Sequence, residues 1–160
     1  MRTIILMLSL IFVVSCNNDD DNDPEFQPTE INFSGVGRGS LLGNGDEGIE
    51  QSNLLINNDS DWQYLMTQMN ITNNVTAGFT ETDIDFETYS IVAVFLEIKP
   101  VGWYLEITNI IENEDNIALT VEEVESVAAI ITQPFHIVKI PKTEKEKTQN
   151  VNSGLFHYYI

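Results

Sequence analysis

Residues 91–96 read IVAVFL, six apolar residues in succession. A strand with one solvated face alternates apolar with polar residues; a strand covered on both faces need not. The stretch therefore predicts a central strand with protein above and below it. Downstream, residues 103–112 (WYLEITNIIE) do alternate: Leu105, Ile107 and Ile111 point one way, and Tyr104, Glu106, Thr108 and Glu112 the other. Ile117, Leu119 and Val121 alternate in turn against Ala118, Thr120 and Glu122, and the polar run Asn113-Glu114-Asp115-Asn116 between the two predicts a hairpin turn. Residues 135–140 (FHIVKI) form a further strand, begun by Pro134, where a missing amide is tolerated.

Upstream, residues 31–42 (INFSGVGRGSLL) and 48–57 (GIEQSNLLIN) flank the turn-rich Gly43-Asn44-Gly45-Asp46 and read as a hairpin. Gly35, Gly37 and Gly39 have the look of a phosphate loop, but Ser40 breaks the G-x-G-x-x-G spacing and no helix pattern follows, so bulges in a strand are expected instead. One helix stands out. Trp62, Leu65, Met66 and Met69 fall at i, i+3, i+4 and i+7, a single apolar stripe. Asp59, Ser60 and Asp61 offer capping oxygens and acids for the positive end of the dipole, with Ser60 and Gln63 spaced as a capping box. The order β-β-α-β-β-β-β with short links predicts an α+β fold: a mostly antiparallel curved β-sheet packed with one amphipathic helix.

The chain has 160 residues, room for one domain, here expected over residues 29–160. Seven basic residues against 25 acidic ones give a formal charge of -18. Such a surface repels nucleic acid, whose binding requires Lys and Arg on phosphates. The single cysteine excludes an internal disulfide and a multi-cysteine zinc site.

That cysteine, Cys16, follows Arg2 and an apolar stretch at residues 4–14, IILMLSLIFVV, a length that suits a signal peptide and is too short to span a bilayer. Val13-Val14-Ser15-Cys16 resembles a bacterial lipobox. The resemblance implies a signal peptide over residues 1–15, removed after a diacylglyceryl group is placed on the Cys16 thiol, and hence a lipoprotein anchored in the membrane. Several acyl chains at about 0.8 kcal/mol per buried methylene hold firmly. Loss of Arg2 leaves six basic residues. Residues 16–28 read as an acidic flexible linker. Asp19-Asp20-Asp21 is similar to surface-export signals on lipoproteins of diderm bacteria, which implies an outer-membrane protein displayed at the cell surface. Asp19, Asp21, Asp23 and Glu30 fall at the first, third, fifth and twelfth positions of a calcium loop, but Pro24 stands where such a loop needs glycine, so no metal is expected. At the other end, Lys139, Lys142, Lys145 and Lys147 are diluted by Glu144 and Glu146 and read as a solvated segment, while residues 154–160 (GLFHYYI) read as a closing strand.

Residues 59–142 resemble the C-terminal domain of PrcB-type protease complex subunits. The matching pieces are DSDW at the helix start, DIDFETYSIVAVFLEIKPVGWYLEITNI, NIALTVEEV and QPFHIVKIPK. The most specific is the link Lys99, Pro100, Val101, Gly102, Trp103, Tyr104, where the family favours P-T-G-G-Y and this chain has Val101 and Trp103 at the second and fourth of those places. The resemblance implies a non-catalytic lipoprotein that docks a protein partner and stabilises a secreted protease, with the 99–104 loop as partner-binding element. The same loop also looks like the N-P-T-T-G-Y loop of chagasin-type cysteine protease inhibitors, which implies an inhibitor-like module; the glycine-rich and R-P-W elements of that family are absent from the expected places. A carrier of a small ligand such as a glycan is the remaining alternative. On the residues alone, Pro100-Val101-Gly102 is also a type II-like turn.

Enzymatic chemistry finds little purchase. A hydrolytic triad needs a nucleophile, a base and an orienting group. His136 and His157 are the two imidazoles, neither with metal-ligand spacing, and the one thiol is taken by lipid. No cofactor is expected.

Overall fold

The computed structural model describes residues 26–125, 130–143, 145 and 148–150. The leader, Cys16, most of the linker, Lys147, His157 and the strand expected at 154–160 lie outside the described residues. In chain order the elements are β1 (Thr29–Glu30), β2 (Ser34–Leu42), β3 (Ser52–Ile56), α1 (Asp59–Met69), a 3-10 turn (Val75–Gly78), β4 (Tyr89–Phe95), β5 (Trp103–Glu112), β6 (Ile117–Glu125), β7 (Thr132–Pro141) and β8 (Thr148–Asn150). The fold is α+β and mostly antiparallel. Among the described residues the strands sort into two four-stranded sheets, β1-β5-β6-β8 and β2-β7-β4-β3, with β6–β8 the one parallel pair.

The IVAVFL stretch explains the layering. In β4, Ile91, Ala93 and Phe95 face α1, where Trp62, Leu65, Met66 and Met69 complete a core with Val36, Leu41, Phe135 and Ile137. Val92, Val94 and Leu96 face the other way, against Leu105, Ile107, Ile110, Ile117, Leu119 and Val121 of the first sheet. The second sheet is thus the middle of three layers, helix on one side and sheet on the other. A large apolar side chain gains about 1.5–3 kcal/mol when fully buried, so a strand apolar on both faces is most stable there.

The helix cap is one residue earlier than the composition suggests. Asn58, in extended conformation, accepts the Asp61 N–H at 2.9 Å and serves as N-cap. Ser60 is therefore inside the first turn, and Gln63 donates to Asp59 at 3.1 Å instead of closing a box with Ser60. The apolar stripe is buried as expected.

Residues 31–42 and 48–57 do not form a hairpin. β2 pairs with β7 and β3 with β4, so they occupy opposite edges of one sheet. The Gly43–Gly48 region spans the sheet end, with φ of 78° at Gly45 and 64° at Gly48, values natural to glycine. The expected irregularity in β2 falls between Gly35 and Gly37, where the register shifts, and Gly37 and Gly39 lie against aromatic rings. A β-carbon on Gly37 would lie 2.3 Å from the Phe79 ring, which stacks on Trp62 at 6.1 Å and meets Phe135 edge-on at 6.2 Å.

The 103–112 alternation breaks halfway. The β5–β6 register shifts between Ile107 and Asn109, leaving Thr108 as an extra residue. A bulge reverses which side later residues face, so Ile110 is in the core and Ile111 is only half-buried. The hairpin turn forms as expected, with Asn113 N–H on Asn116 O at 2.8 Å.

β7 begins two residues before Pro134. Pro134 O accepts Leu96 N–H at 3.0 Å, but proline has no N–H to return. The adjacent Gln133 supplies it: its Nε2 donates to Leu96 O at 3.0 Å and to Ile49 O at 2.9 Å.

Candidate functional site

The 99–104 stretch is less a loop than a strand entry. Lys99 exchanges backbone hydrogen bonds with Thr132, 2.8 Å from Lys99 N to Thr132 O and 3.1 Å in return. Trp103 and Tyr104 already belong to β5, opposite Glu125 and Val124. The turn itself is Pro100, exposed, Val101, half-buried, and Gly102, buried. Gly102 is not among the described glycines with positive φ, so the type II-like turn read from Pro100-Val101-Gly102 is not formed there. Trp103 is half-buried beneath the Lys99 ammonium, 5.1 Å from its ring centre. Tyr104 is 58% exposed.

Lys99 is tied down from both sides, to Glu97 at 3.1 Å and Glu123 at 3.2 Å. Partial burial pulls its pKa down, but those two carboxylates outweigh it and leave it raised. Its charge is thereby spent inside the chain. The same holds for the cations read as a solvated tail. Lys139 pairs with Glu81 at 2.7 Å over the Tyr89 ring, Lys142 donates to Asn57 O at 2.8 Å, and Lys145 donates to Glu114 O beside Phe26. Lys142 and Lys145 pin the chain after β7 to both sheets, which corrects the expectation of a solvated segment at those two residues; Glu144, Glu146 and Lys147 lie outside the described residues.

Four exposed apolar side chains lie in backbone segments that meet at one end of the second sheet, Leu42 on the side of its partner Thr132 and Ile98 and Ile131 on the other. Leu42 ends β2 opposite Thr132, Ile98 precedes Lys99, and Ile130 and Ile131 lead into β7. The segments are held close by backbone contacts: Gly43 N–H bonds Ile131 O at 3.2 Å, and a β-carbon on Gly43 would lie 2.6 Å from the Ile131 carbonyl carbon. Ile98 is 44% exposed and Ile131 55%. Ile98 also borders a cleft of 440 Å³ formed by Gly45, Gly48, Ile49, Glu50, Gln51, Glu97 and Gln133. Between the two glycines lies Glu47, 1% exposed, with neither carboxylate oxygen accepting a hydrogen bond.

Strand reasoning missed this patch because Ile130 and Ile131 continue an apolar run whose facing alternation cannot assign. The one available signal was the density of apolar residues just outside strands already accounted for. Nothing in the sequence marks Glu47 as buried.

His136 lies on the sheet-facing side of β7 and accepts the Ile107 backbone N–H through Nδ1 at 2.8 Å, linking the two sheets. Burial, then the positive field of Arg38, push its pKa below the usual 6.5, with Glu106 opposing. Arg38 and Glu106 pair at 3.1 Å above it. Because Nδ1 is an acceptor, protonating it breaks the bond. A folded-state pKa below the unfolded one means the stability is complete above pH 6.5 and declines as pH falls through that value toward the folded pKa. The urea midpoint is expected to drop between pH 7.5 and 5.5 more steeply in the parent than in His136→Gln; equal slopes would contradict this.

Among the described residues no cluster of three or more His, Cys, Asp or Glu is placed to hold a metal ion, and no helix is long and apolar enough to cross a membrane. Comparison of the chain with known protein families, curated proteins and solved structures finds no match.

Proposed function

We propose that this chain is a non-catalytic, lipid-anchored docking protein of the bacterial cell envelope. Cys16 carries it in the outer membrane, residues 16–28 hold the folded part away from the bilayer, and the outer surface is where it is displayed. Its partner is a protein, a secreted protease in the reading that the PrcB resemblance brings, and it engages that partner by contact and not by chemistry. The observation that supports the reading is the pair Ile98 and Ile131, both exposed on one side of the second sheet where Lys99 and Thr132 are bonded. Clustered exposed apolar groups with polar residues around them are typical of protein contact sites, and aromatic anchors contribute most of the affinity there.

The test is a photo-reactive amino acid placed in cells at position 98 or 131, with position 71 as control, since Ile71 is equally exposed but lies just past α1. One discrete adduct is expected at 98 and 131 and none at 71. Trp103→Ala and Ile131→Asp should each weaken the complex by more than about 1 kcal/mol. Equal labelling at all three positions, or none, would refute the docking face. Cys16→Ala should in parallel move the protein from the detergent to the aqueous phase.

A further inference from the structure

The turn that follows β2 carries a chemistry that neither docking nor anchoring uses. Asn44 is the one asparagine of the chain followed by glycine; every other precedes a residue with a side chain. We infer that Asn44 is a self-modification site. The Gly45 amide nitrogen attacks the Asn44 side-chain carbonyl and, with the help of Asp46, converts the residue through a cyclic imide to aspartate and isoaspartate.

The step balances without a cofactor. A bond forms from Gly45 N to Asn44 Cγ and the bond from Cγ to Nδ2 breaks. The Gly45 amide proton ends on the departing nitrogen, which leaves as ammonia, and water then opens the imide at either carbonyl. The attack needs an amide that is unshielded and uncommitted. Gly45 has no β-carbon, its φ is 78°, and both it and Asn44 are exposed. Among the described residues the Gly45 N–H donates to no acceptor.

Asp46 supplies the rest. Its backbone N–H donates to Asn44 Oδ1 at 3.4 Å, the atom on which negative charge develops as the nitrogen adds, and donors so placed lower the barrier. Its carboxylate accepts from Asn44 Nδ2 at 2.6 Å, beside the nitrogen that must gain a proton to leave. Conversion then strains the turn. A carboxylate at residue 44 faces that of Asp46 where the 2.6 Å bond had been, and like charges so close repel. Isoaspartate also adds a methylene to the backbone between two fixed points, Gly43 N–H on Ile131 O and Gly48 N–H on Gly45 O. A β-carbon on Gly45 would lie 3.8 Å from Ile98 Cδ1, so the altered turn borders the docking face, although the inference does not rest on docking.

The test incubates the full chain in detergent micelles at 37 °C and reads its proteolytic peptides by mass spectrometry over days. Residue 44 should gain the mass difference between amide and acid at least tenfold faster than any other asparagine. The rate should be higher at pH 9 than at pH 7, because the attacking nitrogen gives up its proton. Asn44→Gln, which would need a larger ring, should slow the change at least tenfold. Asp46→Asn should slow it at least threefold in the folded chain, yet leave it unchanged in a synthetic peptide of residues 41–49, where no fold places that side chain. A chain that keeps Asn44 intact while the peptide converts would overturn the inference. Equal rates in the parent and Asp46→Asn chains would overturn the part given to Asp46.

Discussion

Trp62→Ala is expected to lower folding stability by about 3–5 kcal/mol, the usual cost of removing a large buried aromatic. Trp62 is fully buried in the face of α1 that closes the helix-side core. Three losses coincide. The indole volume goes, leaving a cavity against Met66, Met69 and the second sheet. The stacking with Phe79 at 6.1 Å goes, and with it the support that holds Phe79 over Gly37 and against Phe135. The bond from Trp62 Nε1 to Thr82 O at 2.8 Å also goes. Against a total of about 5–15 kcal/mol for a domain, this leaves the variant marginal at 37 °C. Urea unfolding followed by far-UV circular dichroism measures it. Trp62→Phe keeps most of the ring and loses the donor, so its cost should stay near 1–2 kcal/mol. A Trp62→Ala cost below 1 kcal/mol would mean that the helix is not an integral layer.

Gln133→Leu is expected to cost about 2–5 kcal/mol although it places a good hydrophobe in a buried position. The side chain is 2% exposed and donates to the carbonyls of Leu96 and Ile49. A buried acceptor stripped of its donor costs about 1–3 kcal/mol, and here two are stripped at once. Leu96 O is the more exposed to the change, since Pro134 occupies the ladder position that would otherwise serve it. Because Ile49 and Gln133 both border the cleft, the variant should also loosen the 45–51 and 96–99 segments. Faster amide hydrogen exchange at Lys99, with that at Val92 and Val94 unchanged, is the expected signature. A variant as stable as the parent would show that the two carbonyls find other donors.

Much of the fold was legible because local patterns carry local physics. The helix stripe of Trp62, Leu65, Met66 and Met69 and the turn at 113–116 follow from periodicity and turn chemistry within a few residues. The candidate site was only half legible. Proline and the aromatics at Pro100, Trp103 and Tyr104 drew attention to the right end of the molecule, yet Leu42, Ile98, Ile130 and Ile131 come from three separate segments. Their nearness depends on the Gly43–Ile131 and Lys99–Thr132 bonds, which join residues distant in the chain.

That residues 91–96 lie between two layers follows from their side chains, because six apolar groups on a pleated strand leave no face for water. The sequence also sets which face of the helix is buried and that the chain is strongly acidic. Tertiary structure alone decided that 31–42 and 48–57 part to opposite edges, that Thr108 is squeezed out so that Ile110 faces inward, and that the lysines after β7 act as ties. The reason is physical. Burial of a face is a property of one segment, whereas partner and register are chosen by backbone hydrogen bonds and packing among segments far apart in the chain, where a one-residue slip turns every side chain over.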